Sequence, residues 1–488
     1  MKTIWGISAL SHDAAITVMR DDEILFAAHA ERYSHRKNER FLNLDMLDEA
    51  RQFGQPEKVI WFEKPFKKKI RQLYAGQYDE LDSDNPKEYL KKLGVKLPIY
   101  YIPHHESHAA AGYFTSGFRD AAIIVVDAIG EWDTISIWEA KDNILKKKYS
   151  IKYPNSLGLL YSAFTQRIGL KPNEEEYILM GMAAYGTPRY YDDISRDFIQ
   201  PTDAPIFQLT KNVHRGILNW RPDIPTSENV NIAASIQAIT EKYMCSLVQW
   251  VRKNINSNNL VIMGGVALNC VTNELIARTG LYEKIWIMPN PGDAGSSLGC
   301  ILAHTQSHAN WIGPYLGTNI DRDIDPITVA DAIIEHSIIG IANGRAEFGP
   351  RALGNRSIIA DPRGATIKDK VNKIKKRQKF RPFAPIVLEH HAHRIFDMPV
   401  PNSPYMQFTA KCKFPEMYPA ICHVDNTSRV QTVNSFQNPV IHRILTEFFK
   451  KTGCPLLLNT SMNIKGQPLV NDWEDALAFK EIHDIPVF

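Results

Sequence analysis

Ala121-Ala122-Ile123-Ile124-Val125-Val126-Asp127 is a short, continuously apolar, β-branched run closed by a carboxylate. It reads as a buried strand with Asp127 at its C-terminal end. Working outward, Gly130 is followed by Thr134-Ile-Ser-Ile-Trp-Glu139, a Lys141-Asp-Asn143 turn and Ile144-Leu-Lys-Lys-Lys-Tyr-Ser-Ile151. The same grammar stands at residues 3–31: Thr3-Ile-Trp-Gly-Ile-Ser8, then His12-Asp13, then Ala14-Ala-Ile-Thr-Val-Met19, an Arg20-Asp-Asp-Glu23 turn and Ile24-Leu-Phe-Ala-Ala-His-Ala-Glu31. Each copy predicts a strand ending near a carboxylate and then a hairpin with an Asp- or Asn-rich turn. The duplication predicts two related α/β lobes around a cleft.

Upstream of Asp127 stands His104-His105-Glu106-Ser107-His108, followed by small residues suited to a helix. On a helix His104 and His108 share a face and can point two imidazoles at one ion. Two imidazoles and the Asp127 carboxylate suit a divalent metal such as iron, zinc or manganese. A strand at Lys284-Ile-Trp-Ile-Met-Pro289 leads to Asn290-Pro-Gly-Asp293-Ala-Gly295, where Asp293 falls between strand and helix as a fourth ligand or its orienter.

A chain of 488 residues predicts two or three domains, and a formal charge of +3 over 57 basic and 54 acidic residues calls for neither nucleic acid nor membrane. Six cysteines without a Cys-x-x-Cys pair argue against a zinc ribbon or a disulfide framework and fit a reducing cytoplasm. No apolar run is long enough to span a membrane, and the N-terminus reads as a strand rather than a signal peptide. Lys67-Lys68-Lys69 reads as a solvated face.

Residues 231–255 carry a helical period in Ile232, Ile236, Ile239, Tyr243 and Leu247. Leu260-Val-Ile-Met-Gly264-Gly265-Val-Ala-Leu-Asn269 then runs from strand through a glycine turn to a helix start, a form that lets backbone amides approach phosphate. Gly130, Gly264, Gly265 and Asn269 are the candidate nucleotide contacts of this half. Periodicity stops at Trp311–Gly317, the expected domain boundary. Beyond it, Gly344-Arg345-Ala-Glu347-Phe-Gly349-Pro-Arg351-Ala-Leu-Gly354-Asn-Arg356-Ser357 interleaves arginines with glycines, which suits phosphate or carboxylate. Lys375, Arg377 and Arg381 add positive charge, and the polar loop after Leu456-Leu-Leu-Asn-Thr-Ser461-Met-Asn463 offers hydroxyl and amide groups to a nucleotide.

Taken together these motifs, with Glu176-Tyr177-x-x-Met180-Gly181, resemble the O-carbamoyltransferases of the nodulation and antibiotic-tailoring type over almost the whole chain. The resemblance implies two domains. Residues 1–312 are expected to form a Kae1-like domain of the actin-like ATPase superfamily, with duplicated lobes and a metal, Fe(II) or another divalent ion, on His104, His108, Asp127 and Asp293. Residues 313–488 are expected to form a YrdC-like α/β domain. There ATP with Mg and carbamoyl phosphate give carbamoyladenylate, with Arg345, Arg351, Arg356, Lys375, Arg377, Arg381, Ser461 and Asn463 as contacts. The carbamoyl group then goes to a hydroxyl of a small acceptor, a sugar, an aminoglycoside or a hydroxymethyl-pyrimidine nucleotide. His12 is the candidate general base, with Asp13 to orient it and Lys37 as a further contact. The likeness permits a homodimer. Threonylcarbamoyl transfer to tRNA and a non-catalytic nucleotide-binding regulator are the alternatives. The family commonly has a lysine where this chain has Ile178.

Overall fold

The computed structural model describes residues 2–78, 81 and 85–488. The chain divides into two compact units, Met1–Phe26 with Arg40–Trp311, and Ala27–Glu39 with Ile312–Phe488. Among the described residues no helix is long and apolar enough to cross a membrane.

The first unit holds two five-stranded sheets. One contains β1 (Thr3–Ser8), β2 (Ala15–Arg20), β3 (Glu23–His29, whose last three residues belong to the second unit), β4 (Lys58–Trp61) and β5 (Ile99–Tyr101), in the order β3-β2-β1-β4-β5. The other contains β6 (Asp120–Val126), β7 (Asp133–Lys141), β8 (Ile144–Lys152), β9 (Asn259–Met263) and β10 (Lys284–Trp286), in the order β10-β9-β6-β7-β8. The orders are the same. In each sheet the first strand pairs antiparallel with its hairpin partner and parallel with a later strand, which pairs parallel with the last. The duplication seen in the sequence is therefore a duplication of sheet topology. It follows from the repeated apolar run and turn: a two-residue connection such as Asp21-Asp22 allows only an antiparallel return, whereas a parallel neighbour needs a long crossover.

Strands flanked on both faces are apolar throughout, and Ala121 to Val126 are all buried. The helix His104–Ser116 and the helix Ser296–Thr305 pack closely. A Cβ on Gly299 would lie 1.9 Å from Ser107 O, so only glycine permits this approach. The amphipathic helix spans Asn229–Asn254 and buries Ile232, Ile236, Ile239 and Leu247 as its period predicts. Ile178, at the departure from the family pattern, is buried in the core.

The second unit carries β11 (Tyr315–Ile320), β12 (Ile338–Ala342), β13 (Gly344–Glu347), β14 (Arg356–Ala360), β15 (Ala384–Leu388), β16 (Phe396–Asp397), β17 (Thr409–Cys412), β18 (Thr427–Arg429), β19 (Gln431–Val433) and β20 (Leu456–Ser461). Its main sheet runs β12-β14-β20-β15-β19, beside a β11-β13 pair and a β16-β17-β18 sheet. Ile339, Ile358, Ile386, Leu457 and Phe448 sit in its apolar core.

Candidate active site

Six groups of the first unit follow the C-terminal ends of parallel strands: His12 after β1, Glu63 after β4, His104 after β5, Asp127 after β6, Gly265 after β9 and Asp293 after β10. Strand ends of this kind are where α/β sheets place ligands, because the connections that leave the carboxyl ends of the strands open a crevice there. His104, His108, Asp127 and Asp293 come together, each offering one donor atom within 4.8 Å of the others, and all four are buried. His104 Nε2 lies 3.3 Å from Asp127 Oδ2 and 3.2 Å from Asp293 Oδ1, and His108 Nε2 is 3.3 Å from that same Asp293 oxygen.

These residues fit a divalent cation. Asp293 Oδ1 is buried and makes no hydrogen bond among the described residues, although two imidazole nitrogens and a second carboxylate surround it. A buried carboxylate oxygen without a donor is costly unless a positive charge meets it. Two nitrogens and two carboxylates form the borderline donor set that Fe(II), Zn(II) and Mn(II) accept.

The electrostatics tell the same story. Burial opposes charge on His104, but Asp293 and Asp127 more than reverse this and hold its pKa well above the usual imidazole range. Burial likewise pushes Asp293 up, and His104 and His12 pull it well below the usual carboxylate range. Burial and the Asp293 charge raise Asp127, and the two histidines bring it below its ordinary value. His105, by contrast, is driven well below the usual range by burial and by the charge of His104. Its Nδ1 pairs with Ser136 Oγ at 2.8 Å, so it belongs to the packing beneath the cluster.

His12 stands beside the cluster. Its Nδ1 is 3.0 Å from Asp13 Oδ2 and its Nε2 is 3.6 Å from Asp293 Oδ2, with 46% of the side chain exposed. Desolvation opposes charge on the ring, and Asp293, Asp13 and Asp127 overcome it, pushing the pKa up to about 10. Lys37 belongs to the second unit, where its charge adds to those of Arg377 and Arg381 around Lys375.

The remaining candidates of the first unit are used in building the site. Gly265 N–H donates to Asp127 Oδ1 at 3.0 Å and so aims that carboxylate. Gly264 has φ 89°, and a Cβ there would lie 2.2 Å from Val126 O. Gly130 N–H donates to Asp133 O at 2.9 Å. Asn269 caps the helix Cys270–Arg278 through Thr272 N–H and donates to Gln237 Oε1 at 2.9 Å.

In the second unit Lys375 is buried, and its Nζ donates to Ser461 Oγ at 3.0 Å, to Asn463 Oδ1 at 2.7 Å and to the backbone carbonyls of both residues. This brings three of the expected contacts together. Arg377 lies 4.0 Å over the Phe383 ring and donates to Asn372 Oδ1 at 2.7 Å and Pro382 O at 3.1 Å. Arg345 donates to the carbonyls of Gly317 and Leu316. Arg356 is fully buried and donates to the carbonyls of Asn471, Asn343, Gly344, Asn355 and Thr318, so its guanidinium ties backbone together. Glu347, which the sequence reading did not single out, accepts from the backbone N–H of Leu353 and Asn355 and shapes the loop that carries Arg351.

Sequence models of two carbamoyltransferase regions match this chain: the one described as carbamoyltransferase N-terminus at residues 46–302, and the one described as carbamoyltransferase C-terminus at residues 330–487. This chain belongs to the carbamoyltransferase family. A protein of Synechocystis sp. described as uncharacterized is 33% identical to this carbamoyltransferase, with 98% of this chain and 94% of that protein aligned. Nodulation protein NolO of Bradyrhizobium diazoefficiens is 32% identical over 77% of this chain and 75% of its own. The 3'-hydroxymethylcephem-O-carbamoyltransferase of Amycolatopsis lactamdurans is 26% identical over 97% of this chain and 95% of its own. As a carbamoyltransferase the chain is an enzyme, and both matched regions contain clusters described above.

Proposed function

We propose that this enzyme is an ATP-dependent O-carbamoyltransferase. On a YrdC-like domain, residues 313–488, water cleaves carbamoyl phosphate to carbamate and phosphate, and a carbamate oxygen attacks the α-phosphorus of ATP to give carbamoyladenylate with release of pyrophosphate. On a Kae1-like domain of actin-like descent, residues 1–312, a hydroxyl of a small acceptor attacks the carbamoyl carbon, AMP leaves, and the carbamoyl group is transferred. The observation that carries the reading is the convergence of His104, His108, Asp127 and Asp293, with His12 at 3.6 Å from Asp293, in a chain matched in both regions by carbamoyltransferase models. The likeness to a 3'-hydroxymethylcephem-O-carbamoyltransferase supports a hydroxymethyl-type acceptor.

His104, His108, Asp127 and Asp293 would hold the divalent ion, Fe(II) in this reading. Bound there, it supplies Lewis-acid polarisation of a carbonyl or a hold on a nucleotide phosphate. Asp13 holds the His12 ring through Nδ1, which leaves Nε2 to face the reacting hydroxyl. With a cation bound, Asp293 and Asp127 would pull less on the His12 proton, while Asp13 keeps its hold on Nδ1. His12 Nε2 then accepts the proton of the acceptor alcohol. In the second unit, which also holds Lys37, Lys375 with Ser461 and Asn463 around it would meet the phosphates together with Arg351, Arg377 and Arg381, with Lys37 adding charge. A carbamoyl group is a sluggish electrophile, and adenylation gives it a good leaving group whose charge these cations offset.

The test needs no acceptor. Protein incubated with ATP, magnesium and carbamoyl phosphate is expected to release pyrophosphate and form carbamoyladenylate, followed by mass spectrometry, and Arg351→Ala is expected to lose both. Folded, metal-loaded protein that releases no pyrophosphate would overturn the proposal.

A further inference from the structure

We infer that the buried pair Glu63–Lys68 positions His104, with the Glu63 carboxylate accepting a hydrogen bond from His104 Nδ1 and thereby fixing the tautomer that turns Nε2 to the cluster. The inference rests on the metal-site reading above.

The two nitrogens of His104 meet different surroundings. Nε2 faces Asp127 and Asp293, whereas Nδ1 is buried and has no hydrogen-bond partner among the described residues. Glu63 Oε2 faces it at 4.0 Å. A movement of about 1 Å brings the two to hydrogen-bond distance. The other Glu63 oxygen accepts from Lys68 Nζ at 2.9 Å. One carboxylate thus has one oxygen on the lysine and the other toward the imidazole.

A buried ion pair is a poor stabiliser, because desolvating two charges offsets most of their attraction. Glu63 and Lys68 are 5% and 7% exposed, although Lys67 beside them stays in solvent. The pair therefore calls for another use, and orienting a metal-binding histidine is what such outer carboxylates do. Lys68 keeps the carboxylate in place without competing for His104.

The surroundings hold this geometry. Glu131 accepts the His104 backbone N–H at 3.1 and 3.2 Å and the Lys64 N–H at 2.8 Å, tying the start of the helix to the residue after Glu63. Ser107 Oγ donates to Phe62 O at 2.9 Å, and the Phe62 ring lies 5.3 Å from the His104 ring. His108 is oriented differently, with Ser296 Oγ 3.3 Å from its Nδ1. A carboxylate serves one imidazole and a hydroxyl the other.

Co(II) is the probe, since its visible absorption reports ligand geometry. Full-length protein stripped with chelator is titrated with Co(II) in three forms: unaltered, Glu63→Gln, and Glu63→Gln with Lys68→Met. The double variant removes both charges at similar volume, so it folds even where the single change leaves Lys68 buried alone. The unaltered protein is expected to bind one Co(II). Both variants are expected to bind 10- to 100-fold more weakly, the range for outer-sphere partners of metal histidines, with shifted absorption bands and, for the double variant, an unchanged thermal unfolding curve. Unaltered affinity and spectrum in the folded double variant would overturn the positioning role alone. Absence of Co(II) binding in the unaltered protein would instead overturn the metal site and the inference with it.

Discussion

His104 Nε2 and His108 Nε2 lie 3.1 Å apart, one helical turn from each other, and both face the same oxygen of Asp293. Two imidazole nitrogens this close, in a buried site with two carboxylates, share an attraction for positive charge that one proton satisfies poorly and a divalent ion satisfies well. Helical spacing brings the imidazoles together, and the ends of β6 and β10 bring the carboxylates.

Replacing His108 by glutamine keeps the volume and removes one donor. Metal affinity is expected to fall by about 100-fold or more, exceeding the effect of an outer-sphere change. Carbamoyl transfer falls with it, while acceptor-independent pyrophosphate release persists, because Lys375 and its partners lie in the other unit. Bound metal by mass spectrometry and the two half-reactions check this; full transfer by a variant without metal would count against it.

Gly264→Ala is expected to cost about 3 kcal/mol or more, since left-handed backbone strain and a backbone clash add. The alanine Cβ would lie 2.2 Å from Val126 O, and the displaced turn would carry Gly265 N–H away from Asp127. Denaturant unfolding and metal titration should therefore fail together. A stable variant with weakened nucleotide binding alone would mean that the glycine pair serves phosphate instead.

Much of the first site was legible because its signals are local. A strand that ends in Asp127, a His-x-x-x-His helix start and Asp293 between strand and helix each declare themselves within a few residues, and the repeated hairpin grammar revealed the two matching sheets. The supports were hidden. Lys67-Lys68-Lys69 reads as a solvated run, yet Lys68 turns inward, because its helix presents that one position to Glu63. Arg356 looks like its neighbours Arg345 and Arg351 in sequence, and only the fold shows five carbonyls around it. Residues 27–39 continue the first hairpin without any change in composition, and their place in the second unit depends on contacts such as Arg32 with Gly349 O at 3.0 Å.

Arg356 and Arg351 should separate stability from chemistry. Arg356→Met leaves buried carbonyls without donors, each costing about 1–3 kcal/mol, so unfolding of the second unit is expected to move by about 3 kcal/mol or more. Arg351→Ala is expected to cost less than Arg356→Met, because Arg351 is only partly buried, while abolishing carbamoyladenylate formation. Calorimetry with the pyrophosphate assay distinguishes them, and a destabilised Arg351→Ala would assign that arginine to the framework.

Lys375 gives the second unit a pH signature. Burial first, and then the charges of Arg377, Arg381 and Lys37, hold its ammonium well below the usual lysine value of 10.5. Between the depressed value and 10.5 the unfolded chain keeps a proton that the folded chain has released, so the lysine contributes stability that rises with pH through this window. That contribution is complete above 10.5 and is lost as pH falls through the folded value. A bound polyphosphate reverses the balance by favouring the ammonium. Pyrophosphate or ATP binding should then take up about one proton within the window, with affinity falling as pH rises. Titration calorimetry in two buffers of different ionisation enthalpy measures the uptake, and unfolding midpoints against pH measure the slope. Lys375→Met is expected to remove both, and an unchanged uptake in that variant would place the anion elsewhere.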